Sequence, residues 1–422
     1  MIKSPEKLLT GMLLSSGQVG LSGCLAVGAC RPLAERQLEK ALEREERPDR
    51  RPLSFDRPFF LGIHTFWPRA YDKVKPRFTA CEPRGLTNMK KWAVWLCSLL
   101  LLLPLSACTN DGGQSGKPLQ KVRLAEVTHS IFYAPQYVAL AKGFFKEEGL
   151  DVELTTTWGG DKTMTTLLSG GADIALVGSE TSIYVYSQGT ADPVINFAQL
   201  TQTDGTFLVS RKKIGHFTWE MLKGSTFLGQ RKGGMPQMVG EFVLKKHGID
   251  PHNDLHLIQN VDFANIANAF ASGTGDFVQL FEPTASIFEQ EGKGYIVASF
   301  GTESGRVPYT SYMAKRSYMN ENKDVIEKFT RAIYKAQQWV ESHSAADIAK
   351  AIQPYFKDTD SAIIEKVVDR YKSQGTYATD PILDEEEWNN LQTIMAEAGE
   401  LPKRIDLNTL VDSSFAKKAM NK

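Results

Sequence analysis

KGFFKEEGLDVEL, residues 142–154, carries the strongest folding signal in this sequence. Apolar residues at helical spacing over 134–148 predict a helix, and Gly149 permits the left-handed turn that ends one. Alternation of apolar and polar residues over 152–157 then predicts a strand. After a second glycine turn, the apolar run 173–177 suits a buried parallel strand. A helix that leads directly into strands in this way is typical of α/β proteins.

Strands and helices alternate in both directions from this stretch. Strands are predicted at 122–127, 152–157, 173–177, 194–200, 206–210, 225–230, 255–261, 276–281 and 295–300. Helices are predicted at 134–148, 161–169, 179–188, 235–247, 263–272 and 283–290, and then at 322–343, 345–353, 360–373 and 384–398. Such alternation implies a parallel sheet whose two faces are covered by helices. Because the pattern restarts near residue 211, the sequence predicts two α/β units followed by a helical C-terminal part.

The segment 89–108, MKKWAVWLCSLLLLLPLSAC, has the parts of a secretory signal. Two lysines precede an apolar run of a length typical of such signals, and small residues close it. The run is shorter than the roughly 20 residues that cross a bilayer. Its last four residues, LSAC, resemble the lipobox of bacterial lipoproteins, in which the cysteine, here Cys108, receives a lipid and becomes the new N-terminus. We therefore expect export and a lipid anchor; a plain cleaved signal and an uncleaved anchor are the alternatives.

Residues 1–88 precede the predicted secretory signal, although such a signal works at the N-terminus of a chain. This part has a patch rich in Arg and Glu at 44–52 and no clear apolar period. We expect that translation begins at Met89 and that 1–88 is no part of the fold; a regulatory arm is the alternative. Residues 109–120, TNDGGQSGKPLQ, are mostly small and polar, a composition typical of a flexible tether.

Charge and cysteine content exclude several classes of function. The chain of 422 residues carries 49 Lys plus Arg and 49 Asp plus Glu, and the part after Cys108 is net acidic. A nucleic-acid partner needs a basic face, so we expect none. All five cysteines lie at or before Cys108, which leaves no thiol nucleophile and no cysteine metal site in the exported part. Motifs of hydrolases, P-loop proteins and zinc proteases are absent, so we expect no catalytic residue, metal or cofactor.

Several motifs carry a family resemblance. They are FYAPQYVA at 132–139, KGFFKEEGLDVE at 142–153, the pair Gly159-Gly160, LSGGADIA at 168–175, and Gly189. In these motifs the chain resembles the substrate-binding lipoproteins of ABC importers for nitrate, sulfonates, taurine and thiamine pyrimidine, which form the SsuA/THI5-like or NMT1 family. The likeness is strongest over 121–200.

The resemblance implies a type II periplasmic-binding-protein fold, in which hinge strands join two α/β lobes around a ligand cleft. Lobe 1 would comprise 121–210 and 310–422, and lobe 2 would comprise 211–309. The implied partners are a small-molecule ligand, a membrane permease and the ATPase of that permease. The protein would be an exported monomer on the outer face of the bacterial cytoplasmic membrane. The alternatives are a lipoprotein sensor of the same fold and an enzyme like the fungal pyrimidine synthases of this family, whose cysteine-rich motif is missing here.

The candidate ligand site follows from a rule for open α/β sheets, whose ligands bind beyond the carboxyl ends of the strands. The loops at those ends contain the candidate ligand-binding residues His129, Ser130, Tyr133, Trp158, Gly160, Asp161, Ser179, Glu180, Thr181, Arg231, Gly233, Gly234, Met235, Asn260 and Glu282. Backbone N–H groups at helix starts, with Arg231 nearby, are typical of an anion site, and Trp158 and Tyr133 offer flat apolar walls. We therefore expect a small polar or anionic organic solute; a sulfonate, taurine, nitrate and a pyrimidine precursor all fit.

Several of these residues have a simpler interpretation. Arg231 could be a solvated surface charge, and Trp158 could serve packing alone. Asp161 and Ser179 stand where they would cap the predicted helices at 161–169 and 179–188. The residue type alone does not distinguish ligand binding from a structural role for these residues.

Overall fold

Two five-stranded sheets organise residues 118–421, the part of the chain that the computed structural model describes. The strands are β1 Gln120–Glu126, β2 Leu150–Thr156, β3 Ile174–Gly178, β4 Val194–Thr201, β5 Thr206–Ser210, β6 Thr226–Leu228, β7 His256–Ile258, β8 Phe277–Phe281, β9 Tyr295–Ser299 and β10 Thr310–Lys315. The predicted leader, the signal segment with Cys108 and most of the predicted tether lie outside the described residues. The last residue of that tether, Gln120, already belongs to β1.

Helices lie in most connections between the strands and make up most of the chain after β10. They are α1 Ala134–Ala141, α2 Phe144–Glu147, α3 Gly160–Leu168, α4 Glu180–Ser187, α5 Met235–Lys246, α6 Ile266–Ala271, α7 Thr284–Gln290, α8 Phe300–Ser304, α9 Arg316–Glu321, α10 Lys323–Ser342, α11 Ala345–Ile352, α12 Ser361–Ser373, α13 Glu385–Glu397, α14 Leu407–Leu410 and α15 Ser414–Ala419. Short 3-10 helices lie at Ile131–Tyr133, Trp219–Leu222, Phe263–Asn265 and Gln353–Tyr355. Within 118–421, no helix combines the length and the apolar character needed to cross a membrane.

The first sheet has the strand order β2-β1-β3-β10-β4. β1 runs parallel to β2 and β3, in agreement with the predicted strand–helix alternation. β10 lies antiparallel between β3 and β4, so the expectation of a purely parallel sheet is wrong. The sequence of β10, TSYMAK, has no alternating or long apolar pattern, and five of its six residues are buried. The pairing of this strand therefore depends on contacts with strands far away in the chain.

The second sheet has the strand order β7-β6-β8-β5-β9, with β6 parallel to β7 and β8. β5 is antiparallel to β8 and β9, so it belongs to this sheet and not to lobe 1, where the predicted boundary at residue 210 placed it. β4 and β5 are close in sequence and look like neighbouring strands of one sheet. The chain in fact crosses to the second sheet at 202–205 and returns at 305–309, and the N–H of Val307 donates to the carbonyl of Gln202 over 3.0 Å between these segments.

The predicted helix over 134–148 is two helices, α1 and α2. Gly143 between them has φ +77, in the left-handed region that glycine adopts without strain. α1 packs against the long helix α10, whose apolar face buries Phe329 and Ile333. α10 and α15 also contact β4, so these two C-terminal helices pack on the first sheet, whereas α13 packs against α5 beside the second sheet.

Candidate functional site

A cavity of about 170 Å³ lies where the carboxyl ends of strands from both sheets meet, and we call it the cleft. Its walls come from the loops after β1, β2 and β3 of the first sheet and after β6 and β7 of the second. The carboxyl end of β8 and the residues at the start of β10 complete them. Among the predicted ligand-site residues, the cleft is lined by Tyr133, Trp158, Gly160, Asp161, Glu180, Thr181, Arg231, Gly233, Gly234 and Met235.

Glu180, the first residue of α4, is the buried acidic group of the cleft, with 3% of its surface exposed. Its Oε1 accepts a hydrogen bond over 3.3 Å from the backbone N–H of Met235, at the start of α5 on the opposite wall. Its Oε2 has no hydrogen-bond partner among residues 118–421. Burial raises the pKa of Glu180 to about 8, and hydrogen bonds from backbone N–H groups offset this only in part. The carboxyl is therefore mostly protonated at neutral pH.

Local structure holds this carboxyl in place. β3 ends at Gly178, and a Cβ atom there would overlap the Glu180 carboxyl group. Because glycine has no such atom, the Glu180 side chain folds back over the strand end. The N-terminus of α5 then supplies the Met235 N–H as a donor. The contact between Glu180 and Met235 links the two sheets across the cleft.

Two further residues of the cleft wall have buried polar atoms that lack a partner within 118–421. These atoms are Gln230 Oε1 and the hydroxyl oxygen of Tyr309. Gln230 is oriented by its Nε2, which donates to the carbonyl of Gln279 over 2.6 Å. Burial and the neighbouring carboxyl of Asp204 hold the pKa of Tyr309 well above its usual value, so this hydroxyl keeps its proton and faces Asp204. Together with Glu180 these residues add polar side chains to a mostly apolar cavity wall, which is typical of small-molecule sites.

Arg231 is engaged by carboxylates of the protein. Its Nη2 donates to Asp161 Oδ2 over 2.7 Å across the cleft, and its Nη1 lies 3.6 Å from Asp262 Oδ1. Burial raises the pKa of Asp161, but the hydrogen bond and charge of Arg231 outweigh it, so this pKa lies below its usual range. The N–H of Gly233 likewise donates to Gln237 Oε1 over 2.9 Å. Two of the predicted anion donors, Arg231 and the N–H of Gly233, therefore have partners within the protein.

The two predicted helix caps have other contacts. The hydroxyl of Ser179 makes no cap to α4 and lies 3.0 Å from the hydroxyl of Ser311 in β10. Asp161 lies in the first turn of α3, which begins after Gly159. Asn260, in the loop after β7, is exposed and is not part of the cleft wall. Neither Ser179 nor Asn260 lines the cleft with the other predicted residues. The sequence could not show this, because it does not reveal which strands pair or in which direction a loop turns.

A neighbouring cavity of about 290 Å³ contains the remaining predicted residues, His129, Ser130 and Glu282. All three make hydrogen bonds inside the protein. A hydrogen bond to the buried Glu126 raises the pKa of His129. Ser130 Oγ donates to the backbone carbonyl of Glu282, whose carboxylate pairs with Arg370. These contacts hold the cavity wall together and give each side chain a structural role.

Trp158 lines both cavities and is 44% exposed. Its φ of +57 lies in the left-handed region, which is uncommon for a residue other than glycine. Residues of the cleft wall that are not among the predicted ligand-site residues include Tyr184, Gln230, Phe263, Phe281 and Tyr309. The strand-end rule could have predicted Gln230, since this residue closely follows β6. It could not have predicted Tyr309, because Tyr309 precedes β10, a strand that the sequence pattern does not predict.

Known proteins similar to this chain are binding proteins. A model of the family described as NMT1/THI5 like matches residues 131–346. YtlA of Bacillus subtilis (strain 168), assigned as a binding protein, is 67% identical over 321 residues, which cover 76% of this chain and 95% of YtlA. A protein of the same strain assigned as an aliphatic sulfonates-binding protein is 24% identical over 340 residues, which cover 79% of this chain and 97% of that protein.

A solved structure with the same architecture is the alkanesulfonate-binding protein SsuA from Xanthomonas axonopodis pv. citri, bound to MOPS. It matches with a TM-score of 0.58 and 16% sequence identity, over 71% of this chain and 100% of SsuA. At this identity the likeness concerns the fold alone. It confirms the predicted α/β fold of the periplasmic-binding-protein type.

Proposed function

The chain belongs to the NMT1/THI5-like family, and from this membership we propose that it is the solute-binding component of an ABC importer. In this proposal it is exported, held at the outer face of the membrane by a lipid on Cys108, and tethered by residues 109–120. Its folded part captures a small polar or anionic organic solute and delivers it to a permease that works with an ATPase. It carries out no chemistry on the solute.

The observation that carries the proposal is the cleft between the strand ends of the two sheets. Residues of its walls have buried polar atoms without a partner in the described part of the chain, Glu180 Oε2 on one side and Gln230 Oε1 on the other. A buried polar group left unpaired costs about 1–3 kcal/mol. A ligand that hydrogen-bonds to both sides recovers this energy and at the same time joins the two walls.

Capture by lobe closure fits the way in which the two sheets are connected. The chain crosses between them only at 202–205 and 305–309 within the described residues, and these adjacent segments are suited to act as a hinge. Contacts between Asp161 and Arg231 and between Glu180 and Met235 already bridge the cleft. A solute that binds the closed form more tightly than the open form shifts the population towards closure, which a permease can recognise.

The nature of the ligand follows from the cleft and from one relative. Glu180 is a residue of the cleft wall, and its carboxyl, which burial keeps protonated, can donate a hydrogen bond to an oxyanion. The relative that is 24% identical is assigned to aliphatic sulfonates. Among the predicted candidates we therefore favour a sulfonate over nitrate and over a pyrimidine precursor.

A thermal-shift screen of the purified protein tests the ligand. Ethanesulfonate, taurine, nitrate and an aminopyrimidine would each be added at increasing concentration. A ligand at one hundred times its dissociation constant stabilises the fold by about 2.7 kcal/mol. We expect a rise in the unfolding midpoint with ethanesulfonate or taurine. A rise with nitrate alone, or with none of the four, would contradict the proposed ligand class.

Membrane fractionation and intact-mass measurement test the anchor. The protein from cells should carry a lipid on Cys108 and sediment with the membranes. Cys108→Ser should lack the lipid and move to the soluble fraction. A variant that stays with the membranes would show that another part of the chain holds the protein there.

A further inference from the structure

We propose that Glu180 binds the solute as a neutral carboxylic acid, donating a hydrogen bond from Oε2 to an oxygen atom of the ligand. This inference rests on the proposed function and gives one residue of the cleft a specific role. The ligand class that such a donor fits is an oxyanion, in particular a sulfonate.

The geometry of the carboxyl leaves one oxygen for the ligand. Oε1 already accepts a hydrogen bond from the N–H of Met235. Oε2 belongs to a residue of the cleft wall, is buried, and has no partner within 118–421. A protonated carboxyl is a donor at one oxygen and an acceptor at the other. With Oε1 as the acceptor, Oε2 carries the proton and needs an acceptor that the described chain does not supply.

The surroundings explain why the group stays neutral. No Lys or Arg is found within ion-pair distance of Glu180 in the described residues, and burial dominates its pKa. The tyrosines around it, Tyr133, Tyr184 and Tyr309, have pKa values raised by burial and are uncharged. The charged residues of the cleft wall are Asp161, Lys162, Arg231, Lys232 and Asp262. Three of them form the Asp161–Arg231–Asp262 cluster, and Lys232 lies 3.5 Å from Glu400.

A neutral donor solves a problem that an ionised Glu180 would create. A carboxylate and a sulfonate would repel each other strongly in a buried cleft, where the effective dielectric constant is low. A carboxylic acid removes this repulsion and adds a hydrogen bond to a charged acceptor, which is stronger than a bond between neutral groups. A ligand with an ammonium group would instead pair with the ionised carboxylate of Glu180, since a nearby positive charge favours the ionised form. The two cases therefore predict opposite effects of pH on binding.

The test is a calorimetric titration of the purified wild-type protein with ethanesulfonate between pH 6 and pH 9.5, where this ligand does not titrate. We expect constant affinity at the acid end and a fall that approaches tenfold per pH unit above the pKa of Glu180. At pH 8.5, heats measured in two buffers of different ionisation enthalpy should show proton uptake on binding. Proton release, or an affinity that is flat or rises with pH, would overturn the proposed role.

Variants separate donation by Glu180 from a structural effect. Glu180→Gln keeps an N–H donor, so its affinity at pH 7 should stay within a few-fold of the wild type and should not fall at high pH. Glu180→Leu should bind about 10- to 100-fold more weakly at pH 7. Gly178→Ala leaves the glutamate in place but displaces its carboxyl, and it should also bind more weakly. Glu321→Gln, at an exposed site at the end of α9, is the control and should follow the wild-type profile.

The outcomes also distinguish this inference from the proposed function. If ethanesulfonate binds with a pH-independent affinity, the role of Glu180 is wrong and a solute-binding cleft remains. If neither ethanesulfonate nor taurine binds, the proposed sulfonate class and the inference both fail, whereas a rise in the unfolding midpoint with nitrate or the aminopyrimidine would keep a solute-binding cleft. A wild-type profile in Glu180→Gln would likewise overturn the inference, because another group would then carry the pH dependence.

Discussion

Glu180→Gln should make the folded protein increasingly more stable than the wild type as the pH rises. Burial raises the pKa of Glu180 from 4.5 to about 8. Between these pH values the carboxyl is protonated in the folded protein and ionised in the unfolded chain. Folding then takes up a proton, so wild-type stability falls as the pH rises through this window. Glutamine has nearly the same size and takes up no proton, so the stability of the variant should not fall with pH for this reason.

The size of the effect follows from the shift in pKa. One pKa unit corresponds to about 1.4 kcal/mol. From pH 4.5 to about 8, the difference between the two free energies of unfolding should therefore grow to about 4–5 kcal/mol in favour of the variant. Above pH 8 it should stay level, because the wild-type carboxyl is then ionised in both states. The amide oxygen of glutamine can still accept from the N–H of Met235, so little else should change.

Urea unfolding at fixed pH values from 4.5 to 9, followed by tryptophan fluorescence, measures this difference. Glu321→Gln, which changes an exposed glutamate, should run parallel to the wild type. Other groups that titrate, such as the buried Asp204 with a pKa raised to about 6, contribute equally to both proteins and cancel. Parallel curves for Glu180→Gln and wild type, or a variant that loses stability with pH, would refute the burial argument.

Two further predictions concern the contacts that join the two sheets. Gly301→Ala should destabilise the protein by about 1–3 kcal/mol, because the added Cβ would overlap the backbone carbonyl of Asp204 in the first crossing segment. Urea unfolding measures this loss. Gly215→Ala is the control, and it should change the free energy of unfolding little because there is open space around Gly215. Arg370→Met should cost about 3–5 kcal/mol at pH 8, because it leaves the carboxylate of Glu282 buried without its cation. The cost should shrink at pH 5, where the carboxyl can take up a proton, and an equal loss at both pH values would contradict this explanation.

The helices and strands that follow local patterns could be predicted from the sequence. β1, β2 and β3 have apolar runs or alternation, and glycine turns precede β2 and β3. β10 has no such pattern, and its place between β3 and β4 is set by pairing with residues more than a hundred positions away. The sheet assignment of β5 also depends on distant partners, which explains the error in the lobe boundary.

The strand-end rule located most of the candidate site but not its chemistry. It selected Glu180 and Arg231 because both stand where strands give way to helices. It could not show that Arg231 would be held by Asp161, which is 70 positions away in the chain. Nor could it show that Glu180 would be buried without a cation, since burial depends on how the two walls meet. The loops at which we expected an anion site therefore line a cleft that contains a buried acid, Glu180, whose pKa is raised.

The claim that a small molecule binds between the two sheets is tested most directly by filling the cleft. Gly160 lies on its wall and has only ordinary contacts near its Cβ position, so Gly160→Phe should place a ring in the cavity while the protein still folds. Gly215→Phe, at an exposed site, is the matched control. In calorimetric titration with ethanesulfonate, the wild type and Gly215→Phe should bind equally and Gly160→Phe should not bind. Undiminished binding by a folded Gly160→Phe variant would contradict the account.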